Sequence, residues 1–145
     1  MFTVKVSKPA DRTAGFINKP REINVSINTR NILVVDADRN VLNEISQSFA
    51  ICAKHYNILT AHNGREAVET LQSNPVDILL TDLHVAAING FSLVDYTRFY
   101  YPATRIFVMS EGDPSTLKNI LSNLGICGYI SKPYRIEMIY SVLRI

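Results

Sequence analysis

Three blocks of successive apolar residues constrain this chain more than anything else in it: Ile32-Leu33-Val34-Val35, Val76-Asp77-Ile78-Leu79-Leu80 and Arg105-Ile106-Phe107-Val108-Met109. A strand with one wet face alternates polar and apolar side chains. A strand without that alternation is covered on both faces, as in a parallel sheet flanked by helices. Weaker strand patterns at 56–60 and 128–131 bring the number to five. Between them apolar residues recur at helical spacing: Leu42, Ile45, Phe49 and Cys52; Ala67, Val68 and Leu71; Leu93, Tyr96 and Tyr100; Leu117, Ile120, Leu121 and Leu124; Ile136, Ile139, Val142 and Leu143. Asp113-Pro114 supplies an N-cap and a first-turn proline for the fourth helix, Gly125 its stop, and Pro133 lies near the start of the fifth. Strand and helix alternate five times, so the expected fold is α/β with a parallel sheet and right-handed crossovers.

With 145 residues, 47% of them hydrophobic, the chain suits one domain around one core. No apolar run approaches the roughly 18 residues of a membrane span, and the first ten residues lack the layout of a secretory signal. The expected location is cytoplasmic. Cys52 and Cys127 are too few for a disulfide framework and lack metal-ligand spacing; among apolar neighbours both read as small buried hydrophobes. Charge is uneven. Residues 1–30 carry Lys5, Lys8, Arg12, Lys19, Arg21 and Arg30 against Asp11 and Glu22, whereas residues 31–145 carry nine basic and eleven acidic groups. A charge excess spread that thinly forms no compact nucleic-acid patch.

Ligands of such sheets bind beyond the carboxyl ends of the strands, where the strand order reverses. The first strand of the sheet ends in Asp36-Ala37-Asp38, the third in Thr81-Asp82, the fourth in Ser110-Glu111 and the fifth in Ser131-Lys132-Pro133. Carboxylates, a hydroxyl and an ammonium thus converge on one rim. Clustered carboxylates suit a hard cation such as Mg²⁺, and an aspartate there can act as a nucleophile toward phosphorus. Taken singly, each of these residues is an ordinary cap, turn or surface residue; their joint placement is what carries meaning.

Four motifs lie in order at successive strand ends: ILVVDAD at 32–38, DILLTDLHVAAING at 77–90, IFVMS at 106–110 and GYISKP at 128–133. Through them residues 30 to 145 resemble a response-regulator receiver domain. The resemblance implies a flavodoxin-like, doubly wound, five-stranded (βα)5 fold and a role in two-component signal transduction. It makes Asp82 the acceptor of a phosphoryl group from a sensor histidine kinase or phosphotransfer protein. Asp36 becomes a Mg²⁺ ligand and His84 a ligand through its backbone carbonyl. Lys132 becomes the partner of the phosphoryl oxygens, Ser110 the switch hydroxyl, and Tyr129 the aromatic that reports the change on the face of the fourth helix, last strand and last helix. A homodimer through that face is a family habit. Such a domain is not an enzyme beyond self-catalysed phosphotransfer and dephosphorylation.

The chain departs from the family pattern at several points. Ala37 stands where the second acidic residue belongs, which predicts weakened Mg²⁺ binding; Asp38 is the possible substitute, given a local backbone change. Glu111 follows the switch hydroxyl, where a small residue is usual, and a carboxylate there can repel phosphate. Val85, Ala86 and Ala87 replace the methionine, proline and small residue after the phosphorylated strand, while Asn89-Gly90 keeps the turn. These changes leave two readings: a receiver phosphorylated on Asp82, or a pseudo-receiver that keeps the fold and binds proteins without phosphorylation. An aspartate-nucleophile phosphatase is a lesser alternative, resting on the spacing Asp36-x-Asp38. A flavin or nucleotide enzyme is disfavoured, because 36–40 holds two carboxylates and no glycine to cradle phosphate.

Residues 1–30 form a basic extension in which Phe2, Val4 and Val6, then Ile23, Val25 and Ile27, alternate with polar neighbours around Pro9, Gly15 and Pro20. That pattern is either strand-forming or a loose tail. The last helix is expected to end with the chain, so output passes through contacts with another protein, unless the chain is part of something longer. Neither direct DNA binding nor a membrane partner is expected.

Overall fold

A computed structural model of the chain describes residues 4–6, 21–23, 29–85 and 90–145. Two short strands come first, β1 (Val4–Val6) and β2 (Arg21–Ile23). They are followed by β3 (Arg30–Val35), α1 (Arg39–Cys52), β4 (Tyr56–Ala61), α2 (Gly64–Ser73), β5 (Ile78–Asp82), α3 (Gly90–Tyr100), β6 (Arg105–Ser110), α4 (Pro114–Asn123), β7 (Gly128–Ser131) and α5 (Ile136–Leu143). Strands β3 to β7 form one parallel sheet in the order β4-β3-β5-β6-β7. The chain steps outward from β3 to β4, then returns past β3 to β5. Strand order therefore reverses between β3 and β5, the strands that carry Asp36 and Asp82.

The unbroken apolar runs have a direct structural cause. Ile32, Val34, Leu80, Phe107, Met109 and Ile130 face α1 and α5, where Leu42, Ile45, Phe49, Ile139 and Leu143 complete one core layer. Their neighbours Leu33, Val35, Leu79, Ile106 and Val108 face the other way, onto Ala67 and Leu71 of α2 and Leu93 and Val94 of α3. Each strand feeds two layers, and each fully buried aliphatic side chain contributes about 1.5–3 kcal/mol. Phe49 stands edge-on to Tyr56 and Tyr140, with ring centroids 6.3 and 5.0 Å away, and Ser48 Oγ lies 2.5 Å from the Tyr140 hydroxyl. These contacts lock α1 to α5.

Helix ends follow local chemistry. The Asp38 carboxylate accepts the Asn40 N–H at 2.9 Å and starts α1. Asn63 caps α2 by accepting the Glu66 N–H, and Glu66 in turn accepts both the N–H and the Nδ1 of His62. The His62 backbone N–H holds the Glu66 carboxyl below its usual range. Asp113 accepts the Ser115 N–H ahead of Pro114, and Gly125 turns the chain after α4 with φ +66°. Among the described residues no helix is long and apolar enough to cross a membrane.

Three expectations need correction. Cys52 is exposed, because the buried stripe of α1 passes from Phe49 to the cap residue Ala53. Cys127 is exposed too; its N–H bonds to the Ile106 carbonyl as the chain enters β7. Tyr100 is 61% exposed, since the inward stripe of α3 runs through Leu93, Val94 and Thr97, whose hydroxyl is satisfied by the Leu93 carbonyl. In the leading segment, β1 and β2 pair antiparallel with Val4 opposite Ile23. Phe2, Val25, Ile27, Pro9, Gly15 and Pro20 lie outside the described residues, as do Ala86, Ala87 and Asn89.

Gly128 opens β7 under the Phe107 ring and Val142, where an added Cβ would meet them at 2.8 and 2.9 Å. Gly128→Ala is therefore expected to overpack the β6–β7–α5 junction and to cost about 1–3 kcal/mol in urea unfolding. Unchanged stability would mean that this junction has slack.

Candidate functional site

Each polar residue of the rim is where it is because its strand runs out. Asp36 follows β3, Asp82 ends β5, Ser110 ends β6 and Lys132 follows β7. The registers align these ends: Val35 lies opposite Thr81, Asp82 opposite Met109, and Ser110 opposite Ser131. Asp36 and Ser110 are each 2% exposed and Asp82 8%, so the two carboxylates are drawn out of water.

Their counter-charge is Lys132. Its ammonium donates to Asp36 Oδ2 at 2.7 Å and to Asp82 Oδ2 at 2.5 Å. The other oxygen of each carboxylate is held by backbone: Asp36 Oδ1 accepts the Asp38 N–H at 2.9 Å, and Asp82 Oδ1 accepts the His84 N–H at 2.8 Å. Burial alone would lower the Lys132 pKa, but hydrogen bonds and charge from both aspartates outweigh it and the net shift is upward. Tyr134, two residues on, has its hydroxyl pushed up to about 12, chiefly by burial and then by the Asp36 charge.

Ala37 places no carboxylate at the rim, and its side chain is exposed. Asp38 does not take its place, because its carboxylate is turned to the N-terminus of α1. Glu111 is exposed and lines the same cavity as Asp36. Among the described residues no three His, Cys, Asp or Glu side chains group closely enough to hold a metal ion unaided. The two buried carboxylates that remain are hard oxygen donors and fit a Mg²⁺ that keeps several waters. Tyr129 is half-buried and donates to the carbonyls of Ser110 and Gly112 at 3.1 and 3.2 Å, which ties it to the loop after β6. Asp36, Asp82 and Lys132, singled out in the sequence by their places at strand ends, meet in space; Tyr134, an aromatic two places after Lys132, was not singled out.

Lys132→Met is expected to leave two buried carboxylates facing each other and to destabilise the fold by about 3 kcal/mol at neutral pH. The folded-state Lys132 pKa is raised, so its contribution is complete below the ordinary lysine value of 10.5 and is lost as pH climbs beyond it. From neutral pH upward, urea titrations of the two proteins should differ by a constant amount and converge only above that value. A difference that vanished near pH 7 would contradict the bridge.

Comparison with known proteins agrees with this geometry. The response regulator receiver domain family matches residues 32–144. The autoinducer 1 sensor kinase/phosphatase LuxN of Vibrio campbellii is 30% identical over 122 residues, covering 83% of this chain and 14% of LuxN. The two-component response regulator ARR12 of Arabidopsis thaliana is 25% identical over 113 residues, 77% of this chain and 18% of ARR12. This chain thus spans less than a fifth of the length of either relative. The chemotaxis response regulator CheY4 of Vibrio cholerae has a similar fold, with a TM-score of 0.72 at 24% identity over 80% of this chain and 97% of CheY4. By family match, strand order and the polar rim of the sheet, the chain belongs to the response regulator receiver domains of two-component signalling systems.

Proposed function

We propose that Asp82 is the phosphoacceptor of this receiver, taking a phosphoryl group from a phosphohistidine on a sensor kinase or phosphotransfer protein. The observation that carries the reading is the Lys132 ammonium bonded at once to Asp36 and Asp82. A carboxylate oxygen of Asp82 forms the new O–P bond as the N–P bond of the donor breaks and the imidazole departs with the electron pair. Because the transferring group carries its charge on peripheral oxygens, catalysis consists of positioning and neutralisation. The His84 N–H fixes the Asp82 carboxylate, and Lys132 is placed to exchange an aspartate oxygen for a phosphoryl oxygen. Asp36, Asp82 and the His84 carbonyl would hold Mg²⁺, which supplies further neutralisation when bound.

Ser110 reads the product. Its hydroxyl sits at the end of β6, and the loop behind it is held by Tyr129 through the Ser110 and Gly112 carbonyls. A phosphoryl group on Asp82 that attracts the Ser110 hydroxyl shifts that loop and with it the Tyr129 tether. Residues 31–145 are then the receiver and 1–30 an extension. The downstream contact is with another protein. Ala37 supports the second reading, a pseudo-receiver that binds its partner without phosphorylation, because it removes a carboxylate from the metal site.

Intact-mass spectrometry after incubation with a small-molecule phosphodonor separates the two readings. A gain of one phosphoryl group that requires Mg²⁺ and disappears in Asp82→Asn is expected, with Ala37→Asp lowering the Mg²⁺ concentration needed. No gain in the native chain, and recovery of one in Ala37→Asp, would establish the pseudo-receiver.

A further inference from the structure

Strand β4 is an end strand of the five-stranded sheet and pairs in it with β3 alone. The pairing runs in unbroken register from Tyr56 to Ala61, and the strand contains no charge and no proline. Natural sheets blunt an open edge with such residues, with a bulge or with a very short strand. The opposite edge follows that rule, since β7 has four residues and runs into Lys132-Pro133. β4 does not. The His55 and Ala61 carbonyls accept the N–H groups of Arg30 and Asp36 at 3.0 and 3.1 Å, so alternation along the strand turns the N–H and C=O of Ile58 and Thr60 away from β3. Two depressions flank this edge at Thr60: one of about 190 Å³ bordered by Arg39 and Asn43 of α1, and one of about 370 Å³ that follows α2 past Glu66, Glu69 and Ser73.

The chain carries a complement to this edge. β1 and β2 pair with each other in a sheet of two strands, a unit that is marginal in water until a further strand or a helix packs on it. Only residues 24–29 separate β2 from β3, and β3 starts beside the start of β4, with Arg30 opposite Tyr56. Six residues reach about 20 Å, and the outer side of β4 lies two strand spacings, about 10 Å, from β3. A strand that occupies that outer side and then enters β3 at its first residue runs antiparallel to β4, an edge arrangement common on otherwise parallel sheets. Charge agrees. The α2 side of the edge keeps a negative excess even with Arg65 3.6 Å from Glu69, and residues 1–30 hold six basic groups against two acidic ones. Antiparallel pairing with β4 of a second copy would instead bring the same glutamates to one seam.

We propose that residues 1–23 cover the β4 edge of their own chain: β2 adds antiparallel beside β4, β1 becomes the outermost strand, and the sheet grows to seven. Main-chain hydrogen bonds to Ile58 and Thr60 hold the added strand, and the acidic flank of α2 selects a basic one. The new edge is then blunted, because β1 has three residues with Lys5 at its centre. None of this depends on phosphoryl transfer to Asp82.

The test is amide hydrogen exchange in the full chain, read residue by residue by NMR at a high and a low protein concentration. The Ile58 and Thr60 N–H groups are expected to exchange on the order of tenfold or more slowly than unpaired amides, equally at both concentrations. Glu22→Pro, which removes a donor and fixes φ within β2, should return both to the unpaired rate, while continued protection of Leu33 and Leu79 verifies the fold. Glu69→Lys, at an exposed position, should reduce the protection of the same two amides. Exchange at the unpaired rate in the native chain, or protection that survives Glu22→Pro, would overturn the proposal. Protection that appears only at the high concentration would also overturn it and assign the edge to a second copy.

Discussion

A parallel sheet buried on both faces can hold charge only where its strands end, and this constraint organises the whole molecule. Backbone groups within β3 and β5 are consumed by the ladder, and their side chains by the two apolar layers. Asp36 and Asp82 emerge at the first positions where an ion is tolerable, yet both are still nearly out of water. Withdrawing an ion from water costs several kcal/mol, and one ammonium shared by two carboxylates offsets it only in part. The pair plus Lys132 keeps one negative charge in excess. That excess makes the rim net negative, an environment that favours cations and disfavours further uncompensated negative charge.

The order β4-β3-β5-β6-β7 distributes the roles across the sheet. Acidic residues come from the adjacent central strands β3 and β5, the hydroxyl from β6, and the cation from beyond the edge strand β7. Two backbone N–H groups, of Asp38 and His84, orient the carboxylates before any partner arrives. Both carboxylates are thus fixed in advance, which is the condition under which electrostatic stabilisation is most effective.

The architecture was legible in the sequence because the strands feed two layers and so lose their alternation. The rim was legible because polar residues that interrupt such runs sit at strand ends by necessity. What escaped was set by contacts that no spacing encodes. Cys52 continues the apolar period of α1 by one step, but the helix ends there and Ala53 takes the buried place. Tyr100 fits the period of α3 less well than Thr97 does, and a threonine bonded to the Leu93 carbonyl reads as polar until that bond is seen. Asp38 looked like a spare metal ligand; its side chain is consumed by the first turn of α1. Tyr134 carried little signal, since a hydroxyl without a partner among the described residues is a property of three-dimensional surroundings alone.

Lys132 joins the edge of the sheet to its centre: its backbone N–H bonds to the Ser110 carbonyl of β6 at 2.9 Å, and its side chain reaches over that strand to Asp82 of β5. Its long, flexible stem makes this link a tether with reach rather than a rigid strut. Such a tether keeps its grip when either carboxylate shifts by a fraction of its own length. The β7–α5 edge is thereby coupled to the central strand β5 through one side chain, and a rigid connection between them is not needed.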